Sequence, residues 1–405
     1  MNKSATISST PPSADPLPTA QRLQSLDQFR GYTMLGMLLV NFCGSFSVCP
    51  QLLKHSHDYC SYADTIMPQF LFAVGFAMRL SAVRRWQKQQ QLPWGRMVRR
   101  IGGLALLAIG WYSFCSLPTV FNLLQTGSMS QLASELGKRL WFQTLMHIAV
   151  TSLWLLPVIR SSPKQRLAWA LLSASLHILL SWWFNFEWVH ANPRGIDGGP
   201  FGFLSWAIPA TVGTLACDLV FTQDRVVRRL MLSGVFLCVT GWGLSWPSVL
   251  YQVPTTAPNG IAQAPIATDP VIPSAARWTR WQGTIMELPF QRPPSAEQRQ
   301  WNYWMMTQRA ASISYTVFSA GCSLIVFGLF HLISDRLGWQ VPLFRTLGTN
   351  SLAAYLFHDI AGWIISPSVP DAATASQLTL ACLIFIGTVW CACRLLEHRR
   401  WYIRL

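Results

Sequence analysis

The chain has 405 residues, 51% of them hydrophobic and 12% charged, with a formal net charge of +15. Soluble domains carry about 25% charged residues, so this composition excludes a set of water-soluble domains, which would lack the polar surface to cover them. The positive excess does not point to nucleic acid either, because Lys and Arg fall in short clusters between long apolar runs, as topology determinants do.

Residues 1–24 are rich in Ser, Thr, Pro and Ala. They lack the basic and apolar regions of a signal peptide and read as a disordered tail. The remainder, 25–405, reads as one membrane-embedded domain. A helix needs about 20 apolar residues to cross a bilayer core. Ten stretches approach that length: 31–48, 65–83, 101–117, 141–159, 167–184, 201–221, 230–246, 313–333, 347–365 and 378–395. The stretch 201–221 contains Pro209 and several glycines, which membrane helices tolerate where neighbours satisfy the freed carbonyl. The predicted fold is therefore all-α, a polytopic membrane helix bundle of about ten transmembrane helices.

With the N-terminus placed inside, 22 of the 31 Lys and Arg residues fall in inner segments. Loop charge of this kind sets orientation, so both termini are expected on the cytoplasmic side of a plasma membrane, in a multi-pass protein. One outer loop, 247–312, is too long for a connector. It carries Trp278, Trp281, Trp301 and Trp304 and reads as a partly ordered cap on the outer face. Most of the ten cysteines sit in apolar runs, where Cys packs as a small hydrophobe. Cys49 and Cys60 flank one outer loop and are placed to pair if that side is oxidising.

Polar and ionisable groups within membrane helices are costly and mark functional sites by default. Asn41 falls in the first predicted span, His55 and His57 in the loop after it, and Asp64 at the start of the second. The ninth span carries Asn350 and Ser351 in one half and His358 with Asp359 in the other. His147 and His177 stand alone on other spans and read as packed side chains. A His with an ordinary pKa near 6.5 takes and returns a proton at neutral pH; a neighbouring carboxylate orients it, and an Asn amide donates to a developing oxyanion. Such a set suits acyl transfer to an amine or hydroxyl. It suits proton-coupled transport of a small solute or lipid-linked precursor equally well, and no metal site is expected.

Three stretches, RLQSLDQFRGYTMLGMLLVNF, KHSHDYCSYADTIMPQFLFAVGFAMRLS and GTNSLAAYLFHD, together resemble the heparan-α-glucosaminide N-acetyltransferase family and its bacterial relatives. The matching positions are Arg22, Leu23, Ser25, Asp27, Phe29, Arg30, Gly31, Asn41, His55, Asp64, Pro68, Phe70, Phe72, Gly75, Asn350, Ser351, Tyr355 and His358. The resemblance implies an acetyltransferase of a bacterial inner membrane. It would move an acetyl group from cytoplasmic acetyl-CoA to an extracytoplasmic amino sugar or glycan. It implies His55 as the catalytic His, with Asp64, Asn41 and His358 around it, and Arg30, Asn350 and Ser351 on the acetyl-CoA side. Arg84, Arg85, Arg99 and Arg100 are candidates for the donor phosphates as well as topology signals. The lipid bilayer and the glycan are the implied partners, a homodimer is compatible, and nucleic acid is not a partner. In this chain the loop His stands one residue closer to the Asp than is usual in the family, which leaves His57 as the alternative to His55.

Overall fold

The computed structural model describes residues 23–402, apart from 89–90, 92, 127–128, 223, 253–265, 281–285, 294–298 and 371. Nearly all of the expected N-terminal tail, and three pieces of the long loop with Trp281, lie outside the described residues. Among the described residues the structure is helical, with two isolated bridges, Gln252 to Arg299 and Ile266 to Trp301, and no strand.

The helices run α1 (Gln24–Cys43), α2 (Ile66–Gln87), α3 (Trp94–Cys115), α4 (Leu117–Gln125), α5 (Met129–Glu135), α6 (Thr144–Leu155), α7 (Pro163–Leu180) and α8 (Phe186–His190). They continue with α9 (Phe203–Thr222), α10 (Val226–Leu244), α11 (Ala275–Arg280), α12 (Ile313–Phe330), α13 (Pro342–Thr349), α14 (Ser351–Ile365) and α15 (Ala375–His398). Local chemistry sets several of these ends. Ser162 with Gln165, and Thr374 with Gln377, form capping boxes that satisfy free amides at the starts of α7 and α15. Pro118, in the first turn of α4, accompanies a 69° bend between α3 and α4.

Among the described residues, six helical segments are long and apolar enough to cross a membrane, or eight if each of two bent pairs is one span. The expected ten spans are therefore not confirmed. The two expected spans outside this count, 31–48 and 347–365, are also largely helical. Helix α1 spends its first turns on Asp27, Gln28 and Arg30 and stops at Cys43. The other is broken at Asn350 into α13 and a 15-residue α14. Large apolar side chains such as Leu171, Trp183, Phe236 and Leu383 face outward, as expected of helices whose outer solvent is lipid.

Lipid gives little hydrophobic reason for helices to associate, so close packing must do it, and small residues permit that packing. A Cβ on Gly75 of α2 would lie 1.9 Å from the carbonyl oxygen of Ala210 in α9, and one on Gly213 of α9 would lie 2.0 Å from that of Phe72. The backbones of α2 and α9 therefore touch. Helix α9 runs through the middle of the bundle, and Pro209 is buried within it.

At one end of the bundle Arg79 of α2 donates to Asp218 of α9 (2.7 Å) and to the carbonyl of Ile159 (2.7 Å), and Arg166 of α7 pairs with the same carboxylate. Arg166 is 1% exposed. Removing one partner of a buried ionic network leaves uncompensated charge, at a cost of about 3–5 kcal/mol. Asp218→Asn is accordingly expected to lower stability by about that much, read as an earlier thermal unfolding midpoint in detergent.

The cysteine pairing is corrected: Cys49 and Cys60 are both free. Cys49 packs in the cluster of Met37, Phe42 and Phe46, whereas Cys60 packs with Met67, Trp206 and Tyr315. The two thiols serve different cores.

Candidate active site

Loop 44–65 joins α1 to α2 and carries the densest polar cluster. Pro50 precedes one 3-10 turn (Gln51–Leu53), and a second (Ala63–Thr65) brings Asp64 under the loop. Asp64 is 1% exposed. Its carboxylate accepts hydrogen bonds from the Ser61 amide and hydroxyl, both at 2.9 Å, from the Ser56 amide, and from His55 Nδ1 at 2.9 Å. A carboxylate held by so many donors has a fixed position and fixes what it touches.

Because Nδ1 of His55 faces Asp64, that nitrogen carries the proton and Nε2 is left as the basic atom. His55 lines a cavity of about 240 Å³ together with Asn41, His57, Phe70, Gln143, Thr144, Asp197, Gln308, Arg309 and Tyr355. Burial opposes a charged ring at His55, but the hydrogen bond and charge of Asp64 outweigh it, so its pKa stands above the usual 6.5. His57 goes the other way: burial and the charge of Arg309 push it down to about 4. Of the two loop histidines, His55 has the carboxylate partner and the basicity.

The far side of the site comes from α1 and α14. Asn41, in the last turn of α1, places Nδ2 3.2 Å from Nε2 of His358. The ring's Nδ1 donates to the Tyr355 carbonyl one turn earlier. His358 is 7% exposed and Asp359 lies 3.4 Å from its Nε2; Trp111 of α3 donates to the other oxygen of Asp359 at 2.7 Å. His358 does not line the His55 cavity. It opens on a second one of about 440 Å³, with Phe42, Asp359, Trp363 and Phe385, and Asn41 stands in the walls of both. Tyr355 faces the first cavity and is tied to Tyr112 (2.9 Å), which also accepts from the Leu145 amide.

The residues expected on the donor side lie lower on the same helices. Arg30 donates to Ser351 Oγ at 2.7 Å, linking α1 to the start of α14. Asn350 is completely buried at the α13–α14 break, with its amide 3.5 Å from the Cys393 carbonyl. His147 and His177 are buried away from both cavities, His177 against the Tyr303 hydroxyl (2.8 Å).

Sequence reasoning missed Gln143, Thr144, Asp197, Gln308 and Arg309. The loop text NPRGIDGGP around Asp197 signals a turn but not its direction. Gln308 and Arg309 belong to the end of the long loop, which packs against the His55 loop. Arg299, 3% exposed, joins Asp58 (3.0 Å) and Glu287; Phe290 donates to the Cys60 carbonyl (3.0 Å), and Thr307 to that of His57 (2.7 Å). The long loop thus clamps the His55 loop.

A family model described as an acyltransferase domain matches residues 23–397, nearly the whole chain. The chain belongs to this acyltransferase family. A search of curated proteins returned no match. The match takes in α1 through α15, so the His55 cavity lies inside the acyltransferase domain of an integral membrane protein.

Proposed function

We propose that the chain transfers an acetyl group from cytoplasmic acetyl-CoA to the amine or hydroxyl of an amino sugar or glycan on the opposite side of the membrane, as the heparan-α-glucosaminide N-acetyltransferases do. The observation that carries this reading is the His55–Asp64 pair, whose free nitrogen belongs to a cavity that Asn41 also lines. The distribution of Lys and Arg supports cytoplasmic termini, with the His55 loop on the outer face. Arg84, Arg85, Arg99 and Arg100 then lie on the donor side, suited to phosphates.

In the reaction, His55 Nε2 takes the proton of the acceptor N–H or O–H as that atom attacks the thioester carbonyl carbon. The new carbon–nitrogen or carbon–oxygen bond forms and the carbon–sulfur bond breaks. Asp64 steadies the imidazolium that results, and the thiolate of coenzyme A leaves and takes up a proton. The Asn41 amide, between the two cavities, supplies a donor for the carbonyl oxygen. His358 orients that amide from the other side.

The test is acetylation of glucosamine by purified protein in detergent with radiolabelled acetyl-CoA. The base must be unprotonated, and Asp64 raises the pKa of His55. The kcat/KM is therefore expected to rise with pH through a midpoint above 6.5. Absence of acetyl-CoA turnover, together with glucosamine uptake into sealed vesicles, would replace this reading with a transporter.

A further inference from the structure

Asp197 lies in the loop between α8 and α9, 133 positions from Asp64 in the chain, yet its side chain lines the cavity of His55. Its backbone φ is +54°, in the left-handed region that a non-glycine residue adopts at a cost, and the next two residues, Gly198 (+80°) and Gly199 (+60°), continue there. Such strain persists where surrounding structure enforces it. Here the Asp197 carbonyl accepts from the buried Trp206 indole (2.9 Å), and the Gly198 amide donates to the Arg309 carbonyl (2.9 Å). Gly202 comes so near that a Cβ on it would lie 2.0 Å from the Asp197 oxygen. The loop is pinned from three sides, with the acidic side chain held in the cavity wall.

The carboxyl group is 4% exposed and has no basic partner in an ion pair among the described residues. Gln308 Nε2 donates to Oδ1 at 2.9 Å. The same Gln308 side chain lies where it stabilises the protonated ring of His55. Asp197, Gln308 and His55 form a chain of polar groups along one wall, and the His55–Asp64 pair needs neither of the first two to work as a base. Burial pushes the Asp197 carboxyl up to about 6, against the opposing effect of the Gln308 hydrogen bond.

We infer that Asp197 and Gln308 are the acceptor subsite: Asp197 accepts a hydrogen bond from an N–H or O–H of a polyhydroxy or amino-sugar acceptor, holding the neighbouring nucleophile against His55. The subsite rests on the acyltransferase reading for its purpose, but it binds a ligand whether or not chemistry follows.

The experiment uses glucosamine as the probe in two measurements. In steady-state acetylation, Asp197→Asn is expected to raise KM for glucosamine about tenfold, the scale of one charge-assisted hydrogen bond, while kcat falls less than about threefold. Gln308→Ala shifts KM in the same direction by less. Asp64→Asn instead lowers kcat. Calorimetric binding of glucosamine to the chemically silent His55→Ala protein, and its loss in His55→Ala with Asp197→Asn, reads the subsite without turnover. An unchanged KM and unchanged glucosamine binding in Asp197→Asn would overturn the inference, as would a fall in kcat alone that matches Asp64→Asn. If Asp197→Asn does not fold, Gln308→Ala decides by the same criteria. Wild-type protein that binds glucosamine without acetylating it would retire the acyltransferase reading and leave the subsite standing.

Discussion

His55→Ala is expected to lower acetyl transfer by about 10²- to 10⁴-fold, the usual contribution of a positioned general base, with the protein still monodisperse and folded. The ring is 41% exposed to its cavity, so its removal empties no packed core. Asp64→Asn is expected to lose nearly as much, because an amide neither fixes the tautomer nor steadies the imidazolium. It also weakens the loop, since four donors converge on that carboxylate. His177→Ala is the contrasting variant: its ring packs against Tyr303, away from both cavities, and its effect should appear in stability with transfer kept. Radiolabelled transfer assays on the three variants at matched protein decide the point. Equal rates in His55→Ala and His177→Ala would remove His55 from the chemistry.

The second large effect is expected at the α2–α9 contact. Gly75→Leu places a branched side chain where the nearest backbone atom is 1.9 Å from the first added carbon. A rotamer change cannot relieve a clash with a carbonyl oxygen, so the helices must part. Overpacking a well-packed core costs about 1–3 kcal/mol; here the obstacle is main chain in the central helix of the bundle, and the cost is expected at or beyond the upper end of that range. The measurement is the yield of monodisperse protein in detergent and its thermal unfolding midpoint. Gly102→Leu, on α3 with open space around its Cβ position, is the matched control.

Three of the polar residues that the sequence singles out, Asn41, His55 and Asp64, come together in the fold, two lining one cavity and the third paired to His55. The rule that ionisable groups in apolar helices serve function is a rule about solvation, and it needs no tertiary information. Polarity in α1 and the short length of α14 keep these two helices out of the set that is long and apolar enough to span. Helix α1 carries Arg30 and Asn41, and α14 begins at Ser351 and carries His358.

The pairing of those residues is another matter. Nothing in the spacing of Asn41 and His358 states that they meet, nor that His358 opens on a different cavity from His55. The α1–α13 contact and the break at Asn350 arrange that. Asp197 is further still from legibility, since its direction depends on a left-handed backbone enforced by Trp206, Gly202 and Arg309. Spacing does not say which of His55 and His57 reaches Asp64; in the fold it is His55.

The amino-acid sequence by itself determined that this chain is helical, lies in a membrane, and holds polar groups that lipid would reject, because each of those follows from local composition and the energy of transfer out of water. The tertiary structure alone decided which of those groups share a wall and which loop closes over them. Contacts between residues hundreds of positions apart depend on backbone approach at a few glycines and on a loop clamped by Arg299, and neither leaves a periodic trace in the chain.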